Sequence, residues 1–411
     1  MATRRSLVII GCLILLMAAV SPVEGLAAKP SQGVVARDYW PTDEWRTSSP
    51  EDQGMDSVRF NDLMMRIEEH DIAIDSLLIA RHGYLVFEKY PRHYTNNSRH
   101  IIHSCTKSYT SALVGIAIEQ GYINSTDDRM VDLLPNRTIA NLDERKEAIT
   151  LDHLLRMTSG LEWDEWSYPY SSSQNSNYQM WISSDQVQFV LNRPMVADPG
   201  EVWTYSSGGS HVLGAIVAEA TGRTLLDFAI ENLFTPLGIS PSDINWPLDN
   251  QGYYTASGGA SMLPRDMLKF GYLYLNNGSW DGEQIVPVSW VQTSSETLTY
   301  FNDFSGYSYQ WWTYPTDIVN VYAAQGYQGQ FIFVIPELDM VVVFTSSVPP
   351  DEVGQHPAML FEYIIPAAMG EDSQPYSASY AITLVTLAII PLPGLIAGFQ
   401  YAVSKRRIGT S

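Results

Sequence analysis

Residues 103–110 read HSCTKSYT, and within this stretch a serine, Ser104, is followed three positions later by a lysine, Lys107. The apolar residues that come next predict a long helix ending at Gly121, where a glycine can take the left-handed C-terminal conformation. Ser104 would then lie in the first turn, among free backbone N–H groups at the positive end of the helix dipole. An oxyanion could develop there, and Lys107 would lie one turn later on the same face, within reach of the hydroxyl.

The serine–lysine pair permits two interpretations. If Ser104 is a nucleophile and Lys107 is its base, the lysine amine must be neutral. Burial or a nearby cation favours the neutral amine because it lowers the lysine pKa. The neighbouring sequence is compatible with this, because apolar residues surround Lys107 and no carboxylate lies within one helical turn. As structural residues, the serine would cap the helix and the lysine would lie on the surface. The S-x-x-K motif is too weak to decide between them, so the choice depends on the rest of the chain.

Two other stretches contain residues suited to the same chemistry. PGEVWTYSSGGSHVLGAIVAEATG, residues 199–222, places Tyr205 and Ser207 in a polar, glycine-rich turn before an apolar helix, whose packing would hold both hydroxyls in place. In AAQGYQGQFIF, residues 323–333, glycines precede a strand and permit close approach of the backbone to a ligand. The N–H of Gln330 at the start of this strand could complete an oxyanion hole.

With these three stretches in this order, the chain resembles the serine β-lactamase and penicillin-binding-protein superfamily, most closely its class C β-lactamase-like esterases and 6-aminohexanoate-oligomer amidases. SCTK matches the S-x-x-K motif, YSS the Y-x-N or Y-x-S motif, and YQG lies where the family has K-T-G or H-x-G. The likeness covers about residues 50–368. It implies an α/β (α+β) fold of β-lactamase/transpeptidase type, in which helices flank an antiparallel sheet and a helical subdomain is inserted.

The resemblance also implies a mechanism. Ser104 would attack a carbonyl group to form an acyl-enzyme, Lys107 would take the serine proton, and Tyr205 would relay a proton to the leaving group. Water would then release the acyl group, and no cofactor is implied. The other expected oxyanion and substrate-binding residues are Ser207, which replaces the usual Asn near the lysine, Tyr327, Gly329 and Gln330.

One position departs from the family pattern in a way that bears on the substrate. Cell-wall enzymes and β-lactamases of the family keep a cationic lysine in the third motif, where this chain has Tyr327. A neutral phenol cannot pair with a substrate carboxylate as that lysine does, so the sequence favours small-molecule esters or amides without a required carboxylate. An aromatic loop could line the acyl pocket or pack between subdomains. Its aromatic residues are Trp163, Trp166, Tyr168, Tyr170 and Trp181.

Two other functions stay open at this point. One is a catalytically silent relative that binds a ligand or partner at the cell surface, although such a protein has no chemical need for Ser104, Lys107 and Tyr205 together. The other is a cell-wall peptide carboxypeptidase or a β-lactamase, which requires an anchor for a carboxylate that is not found at Tyr327.

Composition and motifs argue against several other classes. The net charge is −21 and only six lysines occur among 411 residues, so the clustered positive charge that nucleic-acid binding needs is missing. His100 and His103 are three residues apart, but neither an H-E-x-x-H motif nor paired cysteines accompany them, which disfavours a zinc site. The chain has no G-x-S-x-G nucleophile elbow. Cys105 is interpreted as a small packed residue beside the serine.

The order of periodic segments predicts one domain with a helical insertion. Residues 29–56 form a lead-in segment, and residues 57–369 would form the hydrolase domain, with the helical subdomain at about 124–263. A helical pattern and a hairpin pattern at 74–90 begin the domain, and two strand patterns around Pro336 end it. The sheet would therefore be assembled from both ends of the domain.

Both ends of the chain predict export and anchoring. Two arginines precede an apolar run and a region of small residues, the order found in a secretory signal peptide, which we expect at 1–28. No residue is charged from 380 to 403, which is long enough for a transmembrane helix; the alternative is a buried or peripheral hydrophobic tail. The basic tail at 404–411 would stay in the cytoplasm. Residues 370–379 would link this membrane anchor to an extracytoplasmic catalytic domain.

Overall fold

The sheet at the centre of the structure is assembled from both ends of the described chain. In the computed structural model, the described residues are 37–302, 304–317 and 319–370. Their strands are, in chain order, β1 (Ile74–Arg81), β2 (Tyr84–Lys89), β3 (His100–Ile101), β4 (Ser261–Met262), β5 (Ser279–Trp280), β6 (Glu283–Gln284), β7 (Thr299–Asn302), β8 (Ser305–Tyr307), β9 (Trp312–Tyr314), β10 (Val321–Gly326), β11 (Gln330–Ile335) and β12 (Met340–Ser346). Eight of these described strands form one antiparallel sheet in the order β2-β1-β12-β11-β10-β9-β8-β7, so the first hairpin pairs directly with the last strand.

α-Helices lie between the strands and at both ends of the described residues. Those of the described residues are α1 (Ser57–Glu69), α2 (Thr106–Glu119), α3 (Met130–Leu133), α4 (Glu144–Glu147), α5 (Leu151–Leu155), α6 (Ser176–Trp181), α7 (Gln186–Leu191), α8 (Ser207–Thr221), α9 (Leu225–Ala229), α10 (Pro264–Leu275), α11 (Val288–Ser295), α12 (Gln355–Met359) and α13 (Ile365–Met369). Helices α3 to α9 lie between residues 124 and 263, where the sequence predicts the helical subdomain. Polar residues begin these helices: the side chain of Ser206, for example, accepts a hydrogen bond from the N–H of Gly209 at the start of α8.

Two central strands separate two hydrophobic cores. Every residue of β11 and β12 is buried, and successive side chains point to opposite faces of the sheet. Phe333 and Val342 contribute to a core with α1, α12 and α13, whereas Ile332 and Val341 contribute to the core that contains α2, α8 and α10. Because both faces are covered, these strands are continuous apolar runs and do not alternate with polar residues.

Gly271 lets helix α10 pack closely against the sheet. A Cβ atom at this position would lie 2.5 Å from Val341 Cγ1 and 2.7 Å from Ile332 Cγ2, which is closer than side-chain atoms pack. We therefore expect Gly271→Ala to lower the free energy of unfolding by about 1–3 kcal/mol, because overpacking outweighs the better helix propensity of alanine. Urea unfolding followed by circular dichroism measures the change.

Gly209 offers a matched control for this substitution. It also lies in a helix, but a Cβ atom there would make only ordinary contacts, the nearest at 3.6 Å from Ser206 Oγ. Gly209→Ala should be neutral or should stabilise the protein by up to about 1 kcal/mol. Equal unfolding midpoints for Gly271→Ala and the wild type would contradict the predicted overpacking.

The predicted membrane anchor requires a correction. The expected fold class included a C-terminal transmembrane helix, but none of the helices in the described residues is long and apolar enough to cross a membrane. The fold class that the structure supports is therefore the antiparallel sheet with its flanking helices, without the transmembrane helix. The segments predicted as a signal peptide at 1–28 and as the anchor at 380–403 lie outside the described residues, as do most of the linker and the whole basic tail.

Candidate active site

A tight turn before α2 presents Ser104. After β3, one turn of 3₁₀ helix at His103–Cys105 leads into α2. His103 has a φ of +46°, in the left-handed region that non-glycine residues rarely occupy. Cys105 is buried, and its Sγ donates to the backbone oxygen of Gln330 at 3.4 Å. The sequence predicts that Ser104 lies in the first turn of a regular α-helix, and this prediction is wrong. Ser104 lies in a tight turn that is held against β11.

Lys107 is buried next to this serine and is only 2% exposed. Its Nζ lies 2.9 Å from Ser104 Oγ, 3.1 Å from Ser207 Oγ and 2.6 Å from the backbone oxygen of Ser257. Burial lowers the pKa of Lys107 to about 8, against the opposing effect of the Glu165 carboxylate, which favours the charged amine. The position is therefore not that of a surface lysine, and the neutral amine is accessible near neutral pH.

Tyr205 completes the group of residues predicted to be catalytic. It precedes the first residue of α8 by two positions, and its ring centroid lies 4.9 Å from Lys107 Nζ. The Ser104 side chain is close enough to act on the Tyr205 hydroxyl, and its effect on the Tyr205 pKa is a lowering one. Burial, reinforced by the negative charge of Glu165, raises the pKa of Tyr205 well above its ordinary value. The phenol therefore keeps its proton in the resting protein, and it can pass a proton on but is not a resident base.

A buried carboxylate that the sequence analysis missed adjoins this group. Glu165 is 3% exposed and accepts hydrogen bonds from the backbone N and the Oγ of Ser207, both at 2.8 Å, from Trp163 Nε1 at 2.5 Å and from Tyr170 OH at 3.0 Å. The Ser207 side chain contacts both Glu165 and Lys107, so only one residue separates the carboxylate from the amine. In GLEWDEW three carboxylates occur within four positions, and no local pattern shows which of them turns inwards.

The turn between β10 and β11 lies against the turn that carries Ser104. A Cβ atom at Gly326 would lie 2.4 Å from the backbone oxygen of Ile102, so only a glycine permits this approach. Gly329 has a φ of +92°, a conformation that also favours glycine. Gln330 is fully buried, and its Nε2 lies 2.6 Å from a backbone oxygen of β12. Its side chain therefore braces the sheet, while its backbone lies beside the serine turn, where the sequence predicts an oxyanion hole.

Tyr327, which occupies the position of the family's lysine, belongs to an aromatic wall. The residue is 38% exposed, and its ring centroid lies 5.6 Å from that of His103 and 5.4 Å from that of Tyr170, edge-on to both. Burial lowers the pKa of His103 to about 4, so this imidazole is neutral at physiological pH. These three side chains therefore offer no cation to a substrate carboxylate.

The aromatic loop divides between the site and the surface. Trp163 donates to the buried carboxylate, and Trp166 stacks on Tyr205 with 5.3 Å between ring centroids. In contrast, Tyr168 and Trp181 are 37% and 62% exposed. The loop therefore contributes part of its aromatic surface to the site.

The two histidines of the HIIH stretch have separate surroundings. His100 Nε2 lies 2.9 Å from Oδ2 of the buried Asp75, whereas His103 packs against Tyr327. In the part of the chain that the structure describes, no group of three or more His, Cys, Asp or Glu side chains is arranged to hold a metal ion.

Comparison with known proteins shows which family the chain is similar to. The family model described as Beta-lactamase matches residues 51–360. Among curated proteins, 6-aminohexanoate-dimer hydrolase from Paenarthrobacter ureafaciens is 26% identical over 314 residues, which cover 72% of this chain and 78% of the relative.

Solved structures share the fold. The octameric penicillin-binding protein homologue from Pyrococcus abyssi superposes with a TM-score of 0.61 at 20% identity, covering 78% of each chain. EstCE1, a hydrolase with promiscuous acyltransferase activity, gives a TM-score of 0.60 at 18% identity, covering 74% of this chain and 95% of its own. At such identities these two structures show the fold alone. Because the family model matches well over half of its residues, the chain belongs to the beta-lactamase family and is a hydrolase of the serine β-lactamase and penicillin-binding-protein superfamily, as the sequence predicted.

Proposed function

We propose that this protein cleaves esters or amides of small molecules through an acyl-enzyme formed on Ser104. The observation that carries the proposal is the 2.9 Å separation between Ser104 Oγ and Nζ of the buried Lys107. An amine whose pKa is lowered to about 8 is neutral in an appreciable fraction of molecules near neutral pH. It can therefore accept the serine proton as the hydroxyl attacks a carbonyl group.

The proposed reaction has two halves. As Ser104 Oγ bonds to the carbonyl carbon, its proton moves to Lys107, and negative charge develops on the carbonyl oxygen, which the backbone N–H groups of Ser104 and Gln330 would bind. The bond to the leaving group breaks as that group takes a proton passed through Tyr205. Water then attacks the acyl carbon, and one of its protons returns to the serine oxygen as the carboxylic acid leaves.

The aromatic wall supports substrates without an obligatory carboxylate. Neither Tyr327 nor the neutral His103 supplies the positive charge with which a lysine pairs with a carboxylate. Trp166, stacked on Tyr205, adds an aromatic surface beside the nucleophile that suits an apolar acyl or leaving group. β-Lactamase and cell-wall carboxypeptidase activities are less well supported for the same reason.

A substrate panel with an active-site probe tests this function. The purified full-length chain would be incubated with p-nitrophenyl esters, short peptide amides and a β-lactam, and separately with a fluorophosphonate. We expect turnover of an ester or amide and a phosphonate adduct on Ser104, located by mass spectrometry. Absence of both would contradict the proposal and favour a catalytically silent relative that binds a ligand. Stable capture or turnover of the β-lactam would favour the cell-wall alternative.

The activity is expected to rise with pH as Lys107 loses its proton. Because the neutral amine is the active form, kcat/KM should increase up to the pKa of about 8 and level off above it. The other titratable groups facing this amine are Glu165, Cys105 and Tyr205, and burial raises the pKa values of the last two, which therefore stay protonated in this range. Initial rates with substrate well below KM, measured from about pH 5 to 10, give the profile. A rate that falls through pH 8 would contradict the base role.

We also propose that the catalytic domain works outside the cytoplasm. The support is the N-terminal order of two arginines, an apolar run and small residues, which is typical of a secretory signal peptide. Expression of the full-length chain, followed by cell fractionation and protease treatment of intact cells, tests this location. Recovery of the active protein only from the cytoplasm would contradict it.

A further inference from the structure

A single hydroxyl group connects the buried carboxylate to the proposed base. Ser207 Oγ lies 2.8 Å from Glu165 Oε1 and 3.1 Å from Lys107 Nζ. We propose that Glu165 is a positioning residue: it holds the Ser207 hydroxyl in the orientation that leaves the lone pair of Lys107 directed at Ser104. This inference rests on the proposed function, because it assigns a role within the same reaction.

The donors around Glu165 determine where the protons lie. Its Oε2 receives the backbone N–H of Ser207 and the indole N–H of Trp163, groups that can only donate. Its Oε1 receives the hydroxyls of Ser207 and Tyr170. An ionised carboxylate accepts all four hydrogen bonds. The Ser207 proton therefore points to Glu165, and the lone pairs of Ser207 Oγ are left to face Lys107.

The neutral amine of Lys107 then has two protons and one lone pair for three neighbours. The backbone oxygen of Ser257, at 2.6 Å, can only accept, and it takes one proton. With its own proton directed at Glu165, Ser207 Oγ also accepts and takes the second. The lone pair is left for Ser104 Oγ at 2.9 Å, whose proton it must remove. Every contact of the amine thus has the polarity that the reaction requires.

Glu165→Gln should reverse this orientation with little change of shape. The introduced amide can donate from its nitrogen, so Ser207 Oγ can accept from it and turn its own proton towards Lys107. The lone pair of Lys107 Nζ would then accept a hydrogen bond from Ser207 Oγ and not from Ser104 Oγ. We expect kcat for a p-nitrophenyl ester to fall about 10–100-fold, with KM changed less than about threefold, because the carboxylate does not touch the substrate.

A double-mutant cycle separates this role from structural support of the loop. In the Ser207→Ala background the linking hydroxyl is absent, so at about pH 10, where Lys107 is neutral with or without the Glu165 charge, Glu165→Gln should change kcat by less than about twofold. A carboxylate that only holds Trp163 and Tyr170 in place would have the same effect in both backgrounds. Equal losses of kcat with and without the Ser207 hydroxyl would overturn the proposal.

Glu162→Gln is the matched control. Glu162 lies in the same loop, but its side chain is 50% exposed and pairs with Arg193 at 2.8 Å. Its conversion to an amide should leave kcat unchanged. Should Glu165→Gln fail to fold, as its melting temperature would show, Ser207→Ala alone still tests the link. A loss of about tenfold in kcat would support the proposal, and an unchanged kcat would overturn it.

Failure of this inference can be told apart from failure of the proposed function. If Ser104 is not the nucleophile, the wild-type protein shows neither phosphonate adduct nor turnover, and the cycle has no starting rate. If the wild type is labelled and active but Glu165 and Ser207 act independently, only the positioning role is overturned.

Discussion

Ser104→Ala is expected to reduce turnover of a p-nitrophenyl ester by at least about 10³-fold, which corresponds to about 4 kcal/mol of lost transition-state stabilisation. The substitution removes the hydroxyl that lies 2.9 Å from Lys107 Nζ, and it leaves the surrounding binding groups in place. The loss should therefore appear in kcat more than in KM. The fluorophosphonate adduct should disappear as well. Steady-state kinetics and intact-protein mass spectrometry measure the two effects.

Ser108→Ala is the control for this prediction. Ser108 lies on the same helix, α2, but its Oγ donates to the backbone oxygen of Gln310 at 2.8 Å, so its removal should leave turnover intact. Full activity of Ser104→Ala would mean that another group attacks the substrate. Cys105 is adjacent, but it is fully buried, and burial raises the pKa of its thiol, which disfavours the nucleophilic thiolate. Retained activity would therefore contradict the mechanism and would not simply transfer it to the neighbouring residue.

Local sequence patterns were sufficient to predict the secondary-structure elements that depend on residues close together in the chain. The hairpin predicted at 74–90 is present as β1 and β2, and the strands predicted around Pro336 are β11 and β12. In both cases an apolar run is interrupted by turn residues, and the backbone geometry of a few residues decides the outcome. The structure also brings together Ser104, Lys107 and Tyr205, whose roles the family resemblance implies.

Local sequence patterns do not predict contacts between residues that are far apart in the chain. Glu165 meets Ser207 across 42 positions of the chain, and its neighbouring carboxylates have the same local composition, so nothing before folding distinguishes it. Gly326 is a glycine because of the Ile102 oxygen that approaches it from another segment. The positive φ of His103 likewise turns a predicted helix start into a 3₁₀ turn, which helical periodicity does not reveal. Family likeness implies which groups react, whereas the side chains that orient them depend on the particular packing.

Lys107→Met is expected to lower kcat/KM by about 10²–10⁴-fold. Methionine is unbranched and flexible, so it can fill the buried space of the lysine stem while removing the proton acceptor. Tyr205 cannot take over as the base, because burial holds its pKa far above neutrality. Melting temperatures of the variant and the wild type show whether the fold is kept, and kinetics on an ester of good leaving ability measure the loss.

The pH dependence decides between two possible roles for the amine. If Lys107 is the base, wild-type kcat/KM rises to a pKa of about 8, and this rise is lost in Lys107→Met. If the amine instead acts as a fixed positive charge that stabilises a Tyr205 phenolate, wild-type activity should be highest while Lys107 is protonated and should fall above the same pKa. The structure favours the first role. The amine lies 2.9 Å from Ser104 Oγ, and the pKa of Tyr205 is raised in spite of the neighbouring lysine, so the phenolate that the second role requires is the less accessible species.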